Sequence, residues 1–150
     1  MPPRFFNTLT RTVEPLKTVE PGRVSLYTCG PTVYNFAHIG NFRAYVFEDL
    51  LQRHLMARGY KVHRVMNLTD VDDKTIRGCR TAGVPLADFT RPFKDAFFAD
   101  LDTLRILRAD AFPEATDPAH IARMISMIGT LVDRGHAYRA DDGSVYFRIR

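Results

Sequence analysis

The chain has 150 residues, of which 45% are hydrophobic and 25% charged, with a formal net charge of +4. This length predicts about one domain with its own core, and the scattered basic residues permit a polyanionic partner without requiring one. No apolar run approaches the roughly 20 residues that cross a bilayer, no secretory signal begins the chain, and the two cysteines fit a reducing compartment, so we expect a cytoplasmic protein without a membrane segment.

The first half of the chain predicts a strand–helix–strand unit. Residues 5–20 alternate only weakly and contain Pro15, which indicates an irregular arm or an edge strand. Residues 24–27 are rich in β-formers, the apolar residues of 38–58 recur at helical spacing, and residues 60–67 again have β character. Two strands joined by one helix predict a parallel pair with a right-handed crossover.

The second half is predicted to be more helical. A short helix should end near Arg80, a long one should span 86–107, and the proline-containing segment 107–118 indicates a boundary. The next helix begins at Asp117 and Pro118, and residues 137–150 indicate a hairpin whose turn contains Gly143. We expect that helix to bury one apolar face, formed by Ile121, Ile125, Ile128 and Val132.

The chemistry concentrates where the first strand meets the first long helix. Cys29 and Gly30 follow the strand, and His38 and Asn41 lie three residues apart at the start of the helix, hence on one face. A strand end, a glycine-containing turn and a helix N-terminus are typical of nucleotide phosphate sites. An imidazole N–H and an amide can donate to phosphate oxygens as charge develops, and Gly40 leaves room for a purine.

Each of these residues also has a simpler interpretation. His38 and Asn41 could be ordinary first-turn and capping residues, and Cys29 could be a small buried hydrophobe. Asp70, Asp72 and Asp73 are interpreted as helix capping plus surface charge rather than as a cation site. Thr69, at the end of the second strand, is expected to face the same crevice as Cys29.

Read together, the motifs are specific. The chain resembles the N-terminal part of the cysteinyl-tRNA synthetases, a class I aminoacyl-tRNA synthetase family. The matching segments are F-N-T-L-T-R (6–11), Y-T-C-G-P-T-V-Y (27–34), H-I-G-N (38–41), G-Y-K-V (59–62), N-L-T-D-V-D-D-K (67–74) and G-H-A-Y (135–138). H-I-G-N corresponds to the class I "HIGH" signature, with Asn41 in its last position.

The resemblance implies an α/β fold, the first half of a class I Rossmann-like nucleotide-binding domain. It implies that ATP, with Mg²⁺, and L-cysteine form cysteinyl-adenylate, and that cysteine then passes to tRNA(Cys). His38 and Asn41 would be catalytic; Gly30, His38, Gly40 and Asn41 would bind ATP; Cys29, Gly30 and Thr69 would contact cysteine. Cys29 would also be the first ligand of a Zn²⁺ that takes the substrate thiolate and so excludes serine. We expect a monomer.

The same resemblance indicates what this chain does not contain. The family's remaining zinc ligands and its K-M-S-K-S loop lie beyond residue 150, so we expect residues 1–112 to be the first half of the catalytic domain and 113–150 to begin its inserted connective segment. The 150-residue chain alone is expected to be inactive. Two alternatives stay open: the cysteine ligase of mycothiol biosynthesis, which uses an amino-sugar acceptor, and a non-catalytic nucleotide- or partner-binding module.

Overall fold

The structure is a computed structural model that describes residues 2–149. Along these residues the elements are β1 (Arg4–Asn7), β2 (Thr12–Pro15), β3 (Arg23–Thr28), α1 (Ile39–Ala57), β4 (Lys61–Met66), α2 (Asp73–Ala82), α3 (Leu86–Thr103), α4 (Pro118–Asp133), β5 (Ala137–Arg139) and β6 (Val145–Phe147). They form two compact units, Met1–Pro113 and Glu114–Arg150. None of the described helices has both the length and the apolar character needed to cross a membrane.

The first unit is organised by the predicted strand–helix–strand unit, which the structure confirms. β3 and β4 pair in parallel along their whole length, and α1 connects the end of one to the start of the other. α1 ends before Gly59, whose φ of +85° is a left-handed conformation that glycine adopts without steric cost and that turns the chain into β4. The carboxyl ends of both strands therefore lie at the same edge, beside the start of α1.

Aromatic and aliphatic side chains from α1, β4 and α3 form the core of this unit. The ring of Tyr45 lies 5.3 Å from that of Phe97 in an edge-to-face arrangement, and Leu101 is fully buried. The cluster of buried hydrophobic residues consists of Phe42, Tyr45, Met66, Leu68, Phe97, Leu101, Ile106 and Ala109. This core fixes α1 against the strands and so fixes the position of the helix start.

Only part of the apolar spacing of α1 faces this core. Phe42 and Leu55 are buried, whereas Phe47 and Leu50 are 65% and 63% exposed. Asp49 is buried instead, because its carboxylate accepts hydrogen bonds from the Leu107 backbone N–H at 2.8 Å and from Arg53 at 2.7 Å. Periodicity therefore identifies the helix but not its buried face, since a paired carboxylate occupies a core position.

A fully buried arginine connects β4 to the segment that follows α3. The guanidinium of Arg64 donates to the carbonyl of Leu107, and the Arg64 backbone N–H donates to Asp110 Oδ2 at 2.7 Å. Burial lowers the pKa of Arg64, while the carboxylates of Glu48, Asp49 and Asp110 oppose that shift. Burial also raises the pKa of Glu48. This charged cluster holds β4 against the segment after α3 through polar contacts, next to the aromatic core.

The N-terminal segment forms an antiparallel hairpin of β1 and β2, with Pro15 at the end of β2. Of the two predicted possibilities, the edge strand is therefore confirmed and the irregular arm is not. Arg11 adopts a positive φ of 58° in the turn. The hydroxyls of Thr10 and Thr12 both donate to the carboxylate of Glu14. These local bonds lower the pKa of Glu14 and favour the hairpin, which weak apolar alternation could not indicate.

The second unit contains α4 and the hairpin of β5 and β6. Asp117 caps the helix by accepting from the Ala119 N–H at 2.8 Å, and Gly143 lies in the hairpin turn with a φ of +85°, so both predicted elements are confirmed. Arg150, in the predicted last strand, lies outside the described residues. The predicted buried face is wrong: its four residues are 40–66% exposed, since two three-residue strands provide too little surface to cover a helix. These residues are Ile121, Ile125, Ile128 and Val132.

Candidate functional site

A cavity of about 340 Å³ lies where the residues after β3 meet the first turn of α1. It contains three of the predicted site residues, Gly30, His38 and Asn41. The complete lining is Gly30, Pro31, Thr32, Tyr34, Asn35, Phe36, Ala37, His38, Asn41, Tyr45 and Lys74. None of these side chains is acidic, and several are hydrogen-bond donors, so the cavity is suited to an anion.

His38 and Asn41 cap the helix reciprocally. The His38 ring accepts a hydrogen bond at Nδ1 from the Gly40 backbone N–H at 3.0 Å, and Asn41 Oδ1 accepts from the His38 backbone N–H at 3.0 Å. This is the geometry of a capping box, which satisfies N–H groups that a helix start would otherwise leave unpaired. The structure therefore confirms that these residues cap the helix, and their predicted contact with phosphate stays a prediction.

The same capping decides which atoms of the two side chains can meet a ligand. Because Nδ1 of His38 accepts, a neutral imidazole carries its proton on Nε2 and can donate there. Because Oδ1 of Asn41 accepts, the remaining polar atom of that amide is the donor Nδ2. Both acceptors are thus engaged within the helix start, and donors remain for the cavity. Phosphate oxygens require donors of this kind.

The end of β4 is fastened to the residues after β3 by a small hydrogen-bond network. Asn67 accepts from the Gly30 N–H at 3.2 Å through Oδ1 and donates to Thr69 Oγ1 at 3.1 Å through Nδ2. Thr69 also pairs with the backbone of Pro31 and Val33, each at 3.0 Å. Thr69 therefore lies beside the cavity-lining segment, as a residue that holds the turn, and is not itself among the lining residues.

Cys29 lies at the tip of β3, exposed and not in a disulfide. It is not the buried hydrophobe of the simpler interpretation. Burial, followed by the neighbouring carboxylate of Glu48, raises the pKa of Tyr45, a residue that lines the cavity, to about 12. Among residues 2–149 no group of three or more His, Cys, Asp or Glu side chains could hold a metal. Cys29 alone is a suitable donor for zinc but an incomplete ligand set, since a zinc site has about four ligands.

Gly40 has a role that the sequence did not indicate. A Cβ built at this position would lie 2.8 Å from Cε1 of the His38 ring, so the missing side chain makes room for the capping imidazole. Gly40 does not line the polar cavity. It borders a second, largely apolar cavity of about 480 Å³, together with Ile39, Phe42, Arg43, Val46 and Leu104. Its predicted contact with a purine stays a prediction.

Among the lining residues that were not predicted as site residues are Tyr34, Tyr45 and Lys74, although Tyr34 and Lys74 fall within the motifs at 27–34 and 67–74. Tyr45 is buried and follows Asn41 by four residues, a helical spacing that could have identified it. Lys74 and Tyr34 come from α2 and the loop after β3, and their side chains meet with Lys74 Nζ 3.4 Å from the Tyr34 hydroxyl. Nothing in the local sequence indicates this meeting, because 40 residues separate the two.

The fold is that of the class I aminoacyl-tRNA synthetases. The chain superimposes with a TM-score of 0.70 and 24% identity on LeuRS from Agrobacterium radiobacter K84, solved as a ternary complex with tRNA and LeuAMS, covering 82% of this chain and 16% of that one. Methionyl-tRNA synthetase from Mycobacterium tuberculosis, solved with methionyl-adenylate, gives a TM-score of 0.66 at 23% identity, covering 76% of this chain and 23% of that one. The predicted Rossmann-like α/β fold is confirmed.

Within that class, residues 15–150 match the family model of the tRNA synthetases class I (C) catalytic domain, and the chain belongs to this family. It is 52% identical over 149 residues to a cysteine–tRNA ligase of Protochlamydia amoebophila and 57% identical over 146 residues to one of Chlamydia muridarum. These alignments cover 99% and 97% of this chain but 31% and 30% of the relatives. The chain therefore spans about a third of the length of the curated relatives that it matches.

Proposed function

We propose that this chain is the part of a cysteine–tRNA ligase that binds ATP and one side of the cysteine substrate. The observation that carries the proposal is the arrangement of His38 and Asn41, which use their acceptors in the helix cap and keep their donors for an acid-free cavity. The names of the relatives support cysteine and tRNA as further substrates, and they favour tRNA over the amino-sugar acceptor of the alternative ligase.

The chemistry follows from these donors. The carboxylate of cysteine is ionised at neutral pH, so its attack on the α-phosphorus of ATP needs no general base. The carboxylate oxygen forms a bond to phosphorus while the bond to pyrophosphate breaks, and negative charge grows on the phosphate oxygens. Nε2 of His38 and Nδ2 of Asn41 would stabilise that charge and hold the phosphate in line. ATP would enter as its Mg²⁺ complex.

The remaining assignments extend the same proposal. Gly30 and Thr69 would hold the turn beside the substrate cysteine, and Gly40 would lie under the adenine, where the apolar cavity offers a surface for a flat ring. Cys29 would be one ligand of a Zn²⁺ whose other ligands are not among the described residues. The connective character of residues 113–150, a cytoplasmic location and a monomeric state stay predictions.

A chimera tests the proposal. The matching first third of the Chlamydia muridarum ligase is replaced by residues 1–150, and cysteine-dependent pyrophosphate exchange is measured together with the charging of tRNA(Cys). We expect exchange and charging from the chimera, and neither from the 150-residue chain alone, since it lacks most ligands of the proposed zinc. The variant His38→Gln should lose about 10²–10³-fold in exchange, the usual effect of removing one charge-stabilising donor.

The controls separate the alternatives. Arg53 does not line the cavity, and Arg53→Lys keeps a positive charge beside Asp49, so this variant should leave exchange unchanged. A folded chimera that catalyses no exchange would refute the proposal, as would exchange that is indifferent to His38→Gln. Transfer of cysteine to an amino-sugar but not to tRNA would instead establish the mycothiol-type alternative. ATP binding without any exchange would support a non-catalytic module.

A further inference from the structure

We propose that Lys74 is an additional phosphate-binding residue of this site, contacting the polyphosphate of ATP in the cavity that His38 also lines. The inference rests on the proposed function and deepens it, because it gives a role in phosphate binding to the lysine of the motif at 67–74, for which the resemblance implied none. Lys74 belongs to α2, which reaches the cavity from β4, on the other side of the turn after β3.

The position of the Lys74 side chain is defined by an aromatic ring. Its Nζ lies 4.5 Å above the centroid of the Tyr34 ring and 3.4 Å from the Tyr34 hydroxyl. Cation–π contacts of this length hold an ammonium group in place while leaving its other N–H bonds unused. The backbone is equally fixed, because the Lys74 N–H donates to the cap residue Asp72 at 2.9 Å.

The charge environment favours an exogenous anion. Lys74 is exposed and forms no ion pair with any carboxylate of the described residues. The other basic residue of the polar cavity is His38, and the cavity has no acidic lining residue. An ammonium group that lines a polar cavity without a carboxylate partner, beside two further donors, has the composition of a polyphosphate site.

The proposed phosphate-binding donors come from two helices. His38 and Asn41 lie at the start of α1, whereas Lys74 belongs to α2, so an anion in the cavity would be contacted by residues from the first turns of two different helices. Because an ammonium group is a compact charge with three donors, Lys74 can contact phosphate oxygens without matching one planar geometry. Lys74 would therefore raise the affinity for nucleotides that carry several phosphates, and adenosine would not benefit.

The experiment compares ATP, inorganic triphosphate and adenosine as ligands of the 150-residue chain, by two-dimensional NMR titration at constant ionic strength. Wild type and Lys74→Met should bind adenosine alike, whereas the variant should bind ATP and triphosphate about tenfold more weakly, as expected for one lost charge-assisted contact. Lys74→Arg should retain most of the affinity. Lys61→Met, which removes one positive charge at the opposite end of β4, is the matched control and should bind ATP like wild type.

The outcomes distinguish a failure of the proposed role of Lys74 from a failure of the proposed function. Equal ATP affinity in wild type and Lys74→Met, with a loss in His38→Gln, would overturn the role of Lys74 and leave the proposed function standing. An equal loss of ATP affinity in Lys61→Met and Lys74→Met would show that the change in net charge alone lowers the affinity, and it would also overturn the role of Lys74. A folded wild type that binds none of the three ligands would contradict both proposals.

Discussion

At Gly30 the addition of one methyl group should lower both the stability of the fold and the activity of the site. A Cβ built on Gly30 would lie 1.9 Å from the backbone oxygen of Asn67 and 2.9 Å from Cγ of Met66. The Met66 side chain can rotate away, but the carbonyl belongs to the chain leaving β4. Restoring the 3.0 Å that real Cβ atoms keep therefore separates the two strand ends by about 1.1 Å.

The magnitude follows from that displacement. Overpacking with a backbone shift costs about 1–3 kcal/mol, and weakening the hydrogen bond from the Gly30 N–H to Asn67 adds about 1 kcal/mol. The lower entropy of the unfolded alanine chain returns less than about 1 kcal/mol. For Gly30→Ala we therefore expect a net loss of about 2–3 kcal/mol and, at about 4 °C per kcal/mol, a Tm lower by roughly 8–12 °C.

Two assays check this reasoning. Thermal unfolding followed by circular dichroism gives the Tm of Gly30→Ala, and the chimera described above gives its exchange rate, which should fall about 10²-fold for a site displaced by 1 Å. Gly129→Ala is the matched control, because a Cβ there meets nothing within 4 Å. It should be neutral or stabilising by up to about 1 kcal/mol. A Gly30→Ala protein with wild-type Tm and exchange would refute the steric argument.

Three further predictions concern the packing around the site, and thermal unfolding measures each of them. Leu101→Ala, which truncates a fully buried side chain near the C-terminal end of α3, should cost about 2–5 kcal/mol, whereas Leu104→Ala, at 46% exposure, should cost less than about 0.5 kcal/mol. Similar losses at both positions would contradict the assigned core. Asp72→Ala should lower the free energy of unfolding by about 1 kcal/mol, because Asp72 Oδ1 accepts hydrogen bonds from the N–H groups of Lys74 and Thr75, and Asp72→Asn should retain most of the stability. An unchanged Tm in Asp72→Ala would show that this cap does not contribute to stability. Burial raises the pKa of the Glu48 carboxyl above 4.5, so the contribution of the protonated carboxyl to stability is fully present below about pH 4.5 and is lost as the pH rises through the folded-state pKa. Glu48→Gln should therefore make the Tm depend less on pH over this range. An unchanged pH profile would argue against the burial of this carboxyl.

The parts of the molecule that could be predicted from sequence are those that depend on local spacing. The strand–helix–strand unit is specified by β-formers, a helical apolar repeat and glycines at its turns, all of which act within a few residues. The pairing of Cys29 and Gly30 with the start of α1 followed from topology, because parallel strands bring their carboxyl ends to one edge. The motifs at 27–34 and 38–41 were sufficient to indicate the family.

The remaining features depend on contacts between distant residues. Asp70 was interpreted as surface charge, but it is only 2% exposed and lies 3.4 Å from Lys94 on α3, a partner 24 residues away. The exposed face of α4 was expected to be buried because apolar periodicity carries no information about whether another element covers it. The approach of Lys74 to Tyr34 depends on the position of α2, which packs through Gly78 against the Phe89 ring of α3, and the local sequence does not indicate that contact.

The reciprocal cap formed by His38 and Asn41 has a consequence for how this protein tolerates mutation. Each side chain accepts a hydrogen bond from a backbone N–H, His38 from that of Gly40 and Asn41 from that of His38. Replacing either side chain therefore removes one cap bond and leaves the backbone donor of the other bond in place. Neither position should change without a loss of helix stability, because each one satisfies a different N–H group of the helix start.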